Sequence, residues 1–117
     1  MNSKFYVSLE AARLLKEKRY DGDAEYAYHE NGNFSHWGRN VNDIDYLYAA
    51  PTKAEAINWL ESKGITIEAF SARIGENRKW CHSIINTKTG ITIETSYKFS
   101  TRLEAEETAI IKALELL

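Results

Sequence analysis

The sequence predicts a single α+β domain over residues 1–117. Antiparallel strands are packed on one face by two or three helices, in the order α-β-β-β-α-β-β-β-α. Three observations predict it. Short stretches with alternating polar and apolar residues recur along the chain, bounded by turn residues. Three other segments repeat apolar residues at helical spacing. The length of 117 residues, with 44% hydrophobic and 27% charged residues, is one domain in ordinary globular proportions. Whether the strands form one sheet or two stays open.

The first helix is expected over Ser8–Arg19. Ser8 is a good N-cap, because its hydroxyl accepts from an orphan amide of the first turn. Ala11, Ala12, Leu15 and the stem of Arg19 then share one face, and the DGD at 21–23 ends the helix. Strand signals follow in AEYAYHE (24–30), with Tyr26 and Tyr28 on one face, and in FSHW (34–37). Between them Asn31-Gly32 marks a hairpin, since both residues tolerate positive φ. DIDYLY (43–48) alternates again. Pro51 stops it, and Thr52 with Glu55 forms a capping box that starts a second helix running to Lys63. Gly64 stops that helix. Its expected inner face is Ala56, Ile57 and Leu60, with Trp59 on the flank. ITIEAFSARI (65–74), RKWCHSIINT (78–87) and ITIETSYKFS (91–100) supply three more strands. In the last, Ile91, Ile93, Tyr97 and Phe99 alternate with Thr92, Glu94, Ser96 and Lys98, which marks it as two-sided. Thr101 and Glu104 repeat the capping box, and the final helix is expected to bury Leu103, Ile110, Leu114 and Leu117.

One pattern occurs twice. YAAPTKAEA (48–56) and YKFSTRLEA (97–105) both read Tyr, three residues, Thr, Lys or Arg, any residue, Glu, Ala. Both mark a third strand feeding a boxed helix. The Tyr is expected to be the last inward residue of the strand, and the Ala to let the helix approach the sheet. An internal pseudo-repeat explains the pattern. So does convergence on a general way of joining a strand to a helix.

Composition excludes several activities. The net charge is −2 with both signs well mixed, which gives no support to bulk electrostatic binding of duplex DNA. A single cysteine, Cys81, allows no internal disulfide and suits a reducing compartment. The first residues lack an apolar core and include Glu10, so no signal peptide is expected. No apolar run is long enough for a membrane span. These features place the chain in the cytoplasm, away from membranes. His29, His36 and His82 lack metal-ligand spacing, although His29 and His36 flank one hairpin and are placed to meet across it. Neither a metal nor a cofactor is expected. Cys81 shares a strand face with Lys79, a setting that activates thiols, but a small apolar residue in a strand is the better explanation. Asp43 and Asp45 fall on one strand face, and an exposed face accounts for them. No nucleotide-binding, hydrolase or zinc-protease motif is present, so no catalytic residue is assigned.

The remaining signal is aromatic. The chain has three Trp and seven Tyr. Tyr26, Tyr28, Trp37, Arg39, Trp59, Arg78, Lys79 and Trp80 form the candidate binding surface. Trp59 suits a protein interface anchor. The off-stripe residues Ile111 and Leu116 suit a homodimer contact or a deeply buried helix. Alternatively, the hairpin aromatics, Phe34 included, could stack single-stranded bases beside Arg39, Arg73, Arg78 and Lys79. That reading competes with burial of the same aromatics in a sheet core, which strands favour. The first five elements also follow the order of a double-stranded RNA-binding domain, which places lysines at the start of its second helix; only Lys53 occupies that position here.

At YAAPTKAEAINWLESKGITIEAF (48–70) the chain resembles short proteins of phages, prophages and mobile elements of gut Bacteroidetes. These share the APT sequence, a boxed helix ending in WL and an isoleucine-rich strand. SLEAARLLKEK (8–18) and TRLEAEETAIIKALELL (101–117) extend the likeness over nearly the whole chain. The resemblance implies a phage-type gene expressed in a bacterial cytoplasm and carries no site residue over. The chain departs from it at Arg19-Tyr20, where such proteins often have Gly-Phe. The expected function is an accessory protein, not an enzyme, that binds a protein partner or a second copy of itself. Single-stranded nucleic-acid binding is the alternative.

Overall fold

The computed structural model describes residues 3–117. After a 3-10 turn at Ser3–Phe5, the elements are α1 (Leu9–Glu17), β1 (Tyr26–His29), β2 (Phe34–His36), β3 (Leu47–Ala50), α2 (Lys53–Ser62), β4 (Ile65–Ile74), β5 (Asn77–Asn86), β6 (Thr92–Phe99) and α3 (Arg102–Glu115). The expected order holds. The strands form two separate antiparallel sheets, β2-β1-β3 and β4-β5-β6. The helices lie between them: α1 packs on β3, α2 on β4, and α3 on α1, α2, β4 and β5. One core cluster therefore runs through both halves, from Leu15 and Tyr20 through Trp59 and Leu60 to Ile67, Ile84, Ile110 and Leu114.

The caps explain the helix boundaries. The Ser8 hydroxyl accepts from Ala11 N–H at 3.2 Å. At the other end of α1, Tyr20 N–H bonds Leu15 C=O at 2.9 Å and Arg19 N–H bonds Lys16 C=O at 3.0 Å. This is the Schellman closure, and it puts Arg19 in the left-handed region at φ 64°. The helix thus ends before the DGD, and Arg19 is exposed rather than part of the inner face. The Thr52–Glu55 box is complete. Its counterpart at α3 is half formed: Thr101 accepts from Glu104 N–H, but the Glu104 carboxylate takes Ser100 N–H instead of the cap amide.

Several inward assignments change. β3 begins at Leu47, so Asp43 and Asp45 lie in the preceding turns; Asp43 pairs with Arg39 at 2.9 Å. His36 pairs with Tyr26 and His29 with Leu47, which puts the two histidines on opposite faces of the sheet. In α2, Trp59 is buried and Ile57 only half-buried. In α3 the close contacts are made by Ala105, Ala109 and Ala113 beside Ile110 and Leu114, while Leu117 is exposed and Leu103 half-buried. Small residues let α3 sit in the middle of the molecule against five elements, α1, α2, β4, β5 and β6.

The largest reversal is in β6. Glu94 lies opposite Ile84 and Ser96 opposite His82, so these two face the helices, and Glu94 bonds Lys112 of α3. Ile93 and Tyr97 point the other way. Register irregularities on either side of this triplet return Phe99 to the helix side, opposite Trp80. The two Tyr of the repeated pattern thus differ. Tyr48 packs half-buried against the core, whereas Tyr97 is exposed on the uncovered face. Ala56 and Ala105 are both fully buried, as a close helix approach requires.

Candidate interaction surface

The eight candidate residues separate into distinct places. Tyr26 and Tyr28 share one face of β1 and pack against Phe34, Tyr6 and Val7. Tyr26 stacks on Phe34 with 5.1 Å between centroids and meets Tyr6 edge-on at 5.0 Å. The Tyr28 hydroxyl donates to Val7 C=O at 2.9 Å, and burial raises its pKa. Trp59 is in the core: its indole N–H donates to Asp21 at 2.9 Å, and its ring meets Tyr20 edge-on at 5.2 Å. That bond holds the Asp21 carboxyl below its usual pKa. Trp59 is therefore no surface anchor, because an indole with a buried body and one satisfied donor is a core residue. Trp37 is exposed beyond β2 and donates to the Ser35 hydroxyl at 3.0 Å. Arg39 is held by Asp43 and Asn40 C=O.

Of the remaining three, Arg78 and Lys79 are exposed and Trp80 is half-buried. They lie on the far half of the β4–β5 hairpin. Arg78 sits opposite Arg73, Trp80 opposite Ser71 and Phe99, and Lys79 on the other face. Arg78 bonds the Ser71 hydroxyl at 3.0 Å.

Two buried polar groups escaped sequence reasoning. Lys53 is only 6% exposed. Its ammonium donates to Tyr6 C=O at 2.9 Å and to Lys4 C=O, and Glu107 lies 3.8 Å away. Glu107 in turn accepts from the backbone N–H of Ser8 at 3.0 Å and from its hydroxyl at 2.7 Å. This network ties the N-terminus of α1 to α2 and α3. Burial pushes the Lys53 pKa down, and Glu107 opposes that shift. A lysine so placed contacts no phosphate, which removes the one residue that matched the RNA-binding pattern. A signal was present: Lys53, Ala56 and Leu60 fall at helical spacing on the buried face. Nothing local announces the Ser8–Glu107 bond, which spans 99 residues.

His82 is the second. It is fully buried, and Nδ1 bonds Ala105 C=O at 3.1 Å, which makes Nδ1 the protonated nitrogen. Its ring stacks on Phe99 at 5.2 Å. Nε2 has no partner among the described residues. Burial lowers its pKa. Among the described residues no group of His, Cys, Asp and Glu has the arrangement to hold a metal ion. No described helix is long and apolar enough to cross a membrane.

The surface with the most apolar exposure is the outer face of β4-β5-β6. The α2 and α3 helices pack on its inner face through Ile65, Ile67 and Ile84. On the outer face, register places Phe70 opposite Cys81 and Ile85 opposite Thr66. Ile74 is 42% exposed, Ile93 49% and Tyr97 50%. Nothing among the described residues of the helix layer lies on this side. The first sheet differs: Val41, Ile44 and the 38–46 loop close its outer face over Ala27 and Leu47. Comparison with protein-family models, curated proteins and solved structures returns no match.

Proposed function

We propose that the chain is a small phage- or mobile-element-type accessory protein of a bacterial cytoplasm, which acts by binding a protein partner and performs no catalysis. The observation that carries this reading is the outer face of β4-β5-β6, where Ile74, Ile93 and Tyr97 are exposed on a sheet covered by helices on its other side only. Apolar groups gathered on one face favour a protein contact. The buried polar groups support a binding role over chemistry. Lys53 and Glu107 are engaged in holding helices together, and His82 holds α3 to β5.

A second reading, single-stranded nucleic-acid binding, draws on Arg73, Arg78, Lys79 and Trp80 at the β4–β5 hairpin. It is the weaker one, because Trp59, Tyr26 and Tyr28 serve the interior and stacking needs several rings in water. Titration with short labelled single-stranded DNA and RNA at low and moderate salt separates the two. The protein-binding reading expects no saturable binding. Saturable binding that weakens with salt and is lost in Arg78→Glu would replace it with the nucleic-acid reading. A partner captured from host lysate at high salt must be lost in Ile74→Lys/Tyr97→Lys; retention would move the contact elsewhere.

A further inference from the structure

The far half of the β4–β5 hairpin carries a charge arrangement that the fold does not balance. Arg73 and Arg78 are direct cross-strand partners. Their Cβ atoms are therefore about 4.5–5.5 Å apart, and like charges so placed are destabilising. Both side chains are exposed. Lys79 adds a third cation on the other face, and Glu76 in the turn is the one carboxylate between residues 71 and 80. Among the described residues, no carboxylate lies within ion-pair distance of these three cations, whereas Arg39 has Asp43 and Lys112 has Glu94. The chain as a whole has a net charge of −2, so the repulsion is local to the hairpin.

The two guanidiniums are also held in place. Arg73 Nε–H donates to Gly75 C=O at 3.3 Å, and Arg78 Nε–H donates to the Ser71 hydroxyl at 3.0 Å. These bonds leave both terminal nitrogens of Arg73 without a partner among the described residues. One terminal nitrogen of Arg78 is equally without one, while the other reaches Ser71 C=O at 3.4 Å. A planar guanidinium presents its N–H groups at a spacing that matches the two oxygens of a carboxylate. Fixing it beforehand lowers the ordering cost of binding. The setting favours carboxylates over a nucleic-acid backbone. Two cross-strand guanidiniums converge on one spot, whereas a single strand needs a basic track and several rings to stack on. Trp80, opposite Ser71 and Phe99, is the one aromatic ring beside them on β5 and is half-buried. Ile74 follows Arg73 along β4 and is exposed, which joins the pair to the apolar outer face.

We infer that the Arg73–Arg78 pair is a docking site for an acidic segment of a protein partner, with each guanidinium taking an Asp or Glu carboxylate of that segment. The inference rests on the protein-binding reading above and supplies the chemistry of the partner: carboxylates at the hairpin tip and apolar groups against Ile74. Carboxylates placed there remove the repulsion that the free chain carries. The pair is thus a site where stability is given up for binding.

Fluorescence anisotropy of the full chain with fluorescein-labelled octaglutamate tests it, at low and moderate salt, with labelled octathymidylate as the phosphate probe. The wild type is expected to bind octaglutamate saturably at low salt and more weakly as salt rises. Arg73→Glu turns the like-charge pair into an opposite one and so engages Arg78 as well. The octaglutamate dissociation constant should rise by about tenfold or more. The same variant should melt about 1–4 °C higher than the wild type, because a repulsive cross-strand pair has become attractive. Lys88→Glu makes the same change in net charge at an exposed position in the β5–β6 turn, and it should leave binding within about twofold. No saturable binding of octaglutamate at low salt overturns the inference. So do equal losses in Arg73→Glu and Lys88→Glu, which would mean bulk charge alone. An Arg73→Glu variant less stable than the wild type overturns it too, since structural damage then accounts for the lost binding. Tighter binding of octathymidylate than of octaglutamate overturns it in favour of the nucleic-acid reading. A chain that fails to bind octaglutamate, yet whose captured partner is lost in Ile74→Lys/Tyr97→Lys, overturns the acidic docking alone and leaves the protein-binding reading standing.

Discussion

Removing Glu107 should cost far more stability than removing its buried cationic neighbour Lys53. Glu107 accepts two hydrogen bonds from Ser8, at 3.0 and 2.7 Å. Hydrogen bonds to charged groups contribute about 1.5–3 kcal/mol each. The Glu107 side chain is 20% exposed, so values near the lower end apply, about 3 kcal/mol for the two. Glu107→Ala also strips the counter-charge from Lys53, whose side chain is 8% exposed. Breaking one member of a buried pair costs about 3–5 kcal/mol, and the expected loss is in that range. Lys53→Met behaves differently. The apolar stem stays buried, Glu107 keeps both Ser8 donors, and the cost is the loss of a donor to the Lys4 and Tyr6 carbonyls, about 1–2 kcal/mol. Against a total of roughly 5–15 kcal/mol, both variants should fold and be measurable. Urea denaturation at 25 °C gives the comparison, provided m is unchanged. The double variant should cost less than the sum of the singles, because it leaves no orphaned cation. Equal single costs within about 0.5 kcal/mol, or strict additivity, would refute the assignment of Glu107 as the group that holds the network.

Two other predictions follow from single residues. The His82 pKa is lowered from 6.5 in the fold. Below pH 6.5 the unfolded chain takes up a proton that the folded chain does not, so stability falls as pH drops from there to the folded pKa. The limiting slope is about 1.4 kcal/mol per pH unit. Thermal or urea unfolding in steps from pH 7.5 to 5 should show this slope, and His82→Phe should flatten it, a result that a slope due to Glu94 or Asp43 would not produce. Arg19 sits at φ 64°, where a side chain costs about 1 kcal/mol relative to glycine. Arg19→Gly should raise stability by about that amount and Arg19→Ala should not; equal effects would point to charge rather than backbone.

Much of the fold was legible because local chemistry agreed with it. Ser8 and Thr52 cap helices where their side chains predict, and β4 spans the residues that its alternation marks. Arg19 is the one non-glycine among the described residues with positive φ, which is where a glycine would serve the chain best. The errors came from tertiary choices that alternation does not encode. β6 reads as a two-sided strand with Tyr97 inward. The helix layer instead selects Glu94, because Lys112 of α3 stands ready to pair with it. Likewise Trp59 reads as flank on the α2 wheel, but Tyr20 and Asp21, brought in by the Schellman turn of α1, make a pocket that takes it inward. The candidate surface suffered most. Aromatics are equally at home in a core and at an interface, and only the packing of Tyr6, Phe34 and Tyr20 against them decides which.

The repeated Tyr-x3-Thr-Lys/Arg-x-Glu-Ala pattern shows where the two halves diverge. In each, a strand feeds a helix through a threonine cap, and the closing alanine is fully buried. Each sheet carries helices on one face. The first sheet has a second cover, since Val41 and Ile44 close over Ala27 and Leu47. The connections around the second sheet are too short to supply one: Gly75-Glu76 joins β4 to β5, and residues 87–91 join β5 to β6. A three-layer arrangement is therefore complete around one sheet and lacks its outer layer around the other. Apolar side chains on that side, with Tyr97 outward where Tyr48 turns inward, have the composition of a face that buries against something.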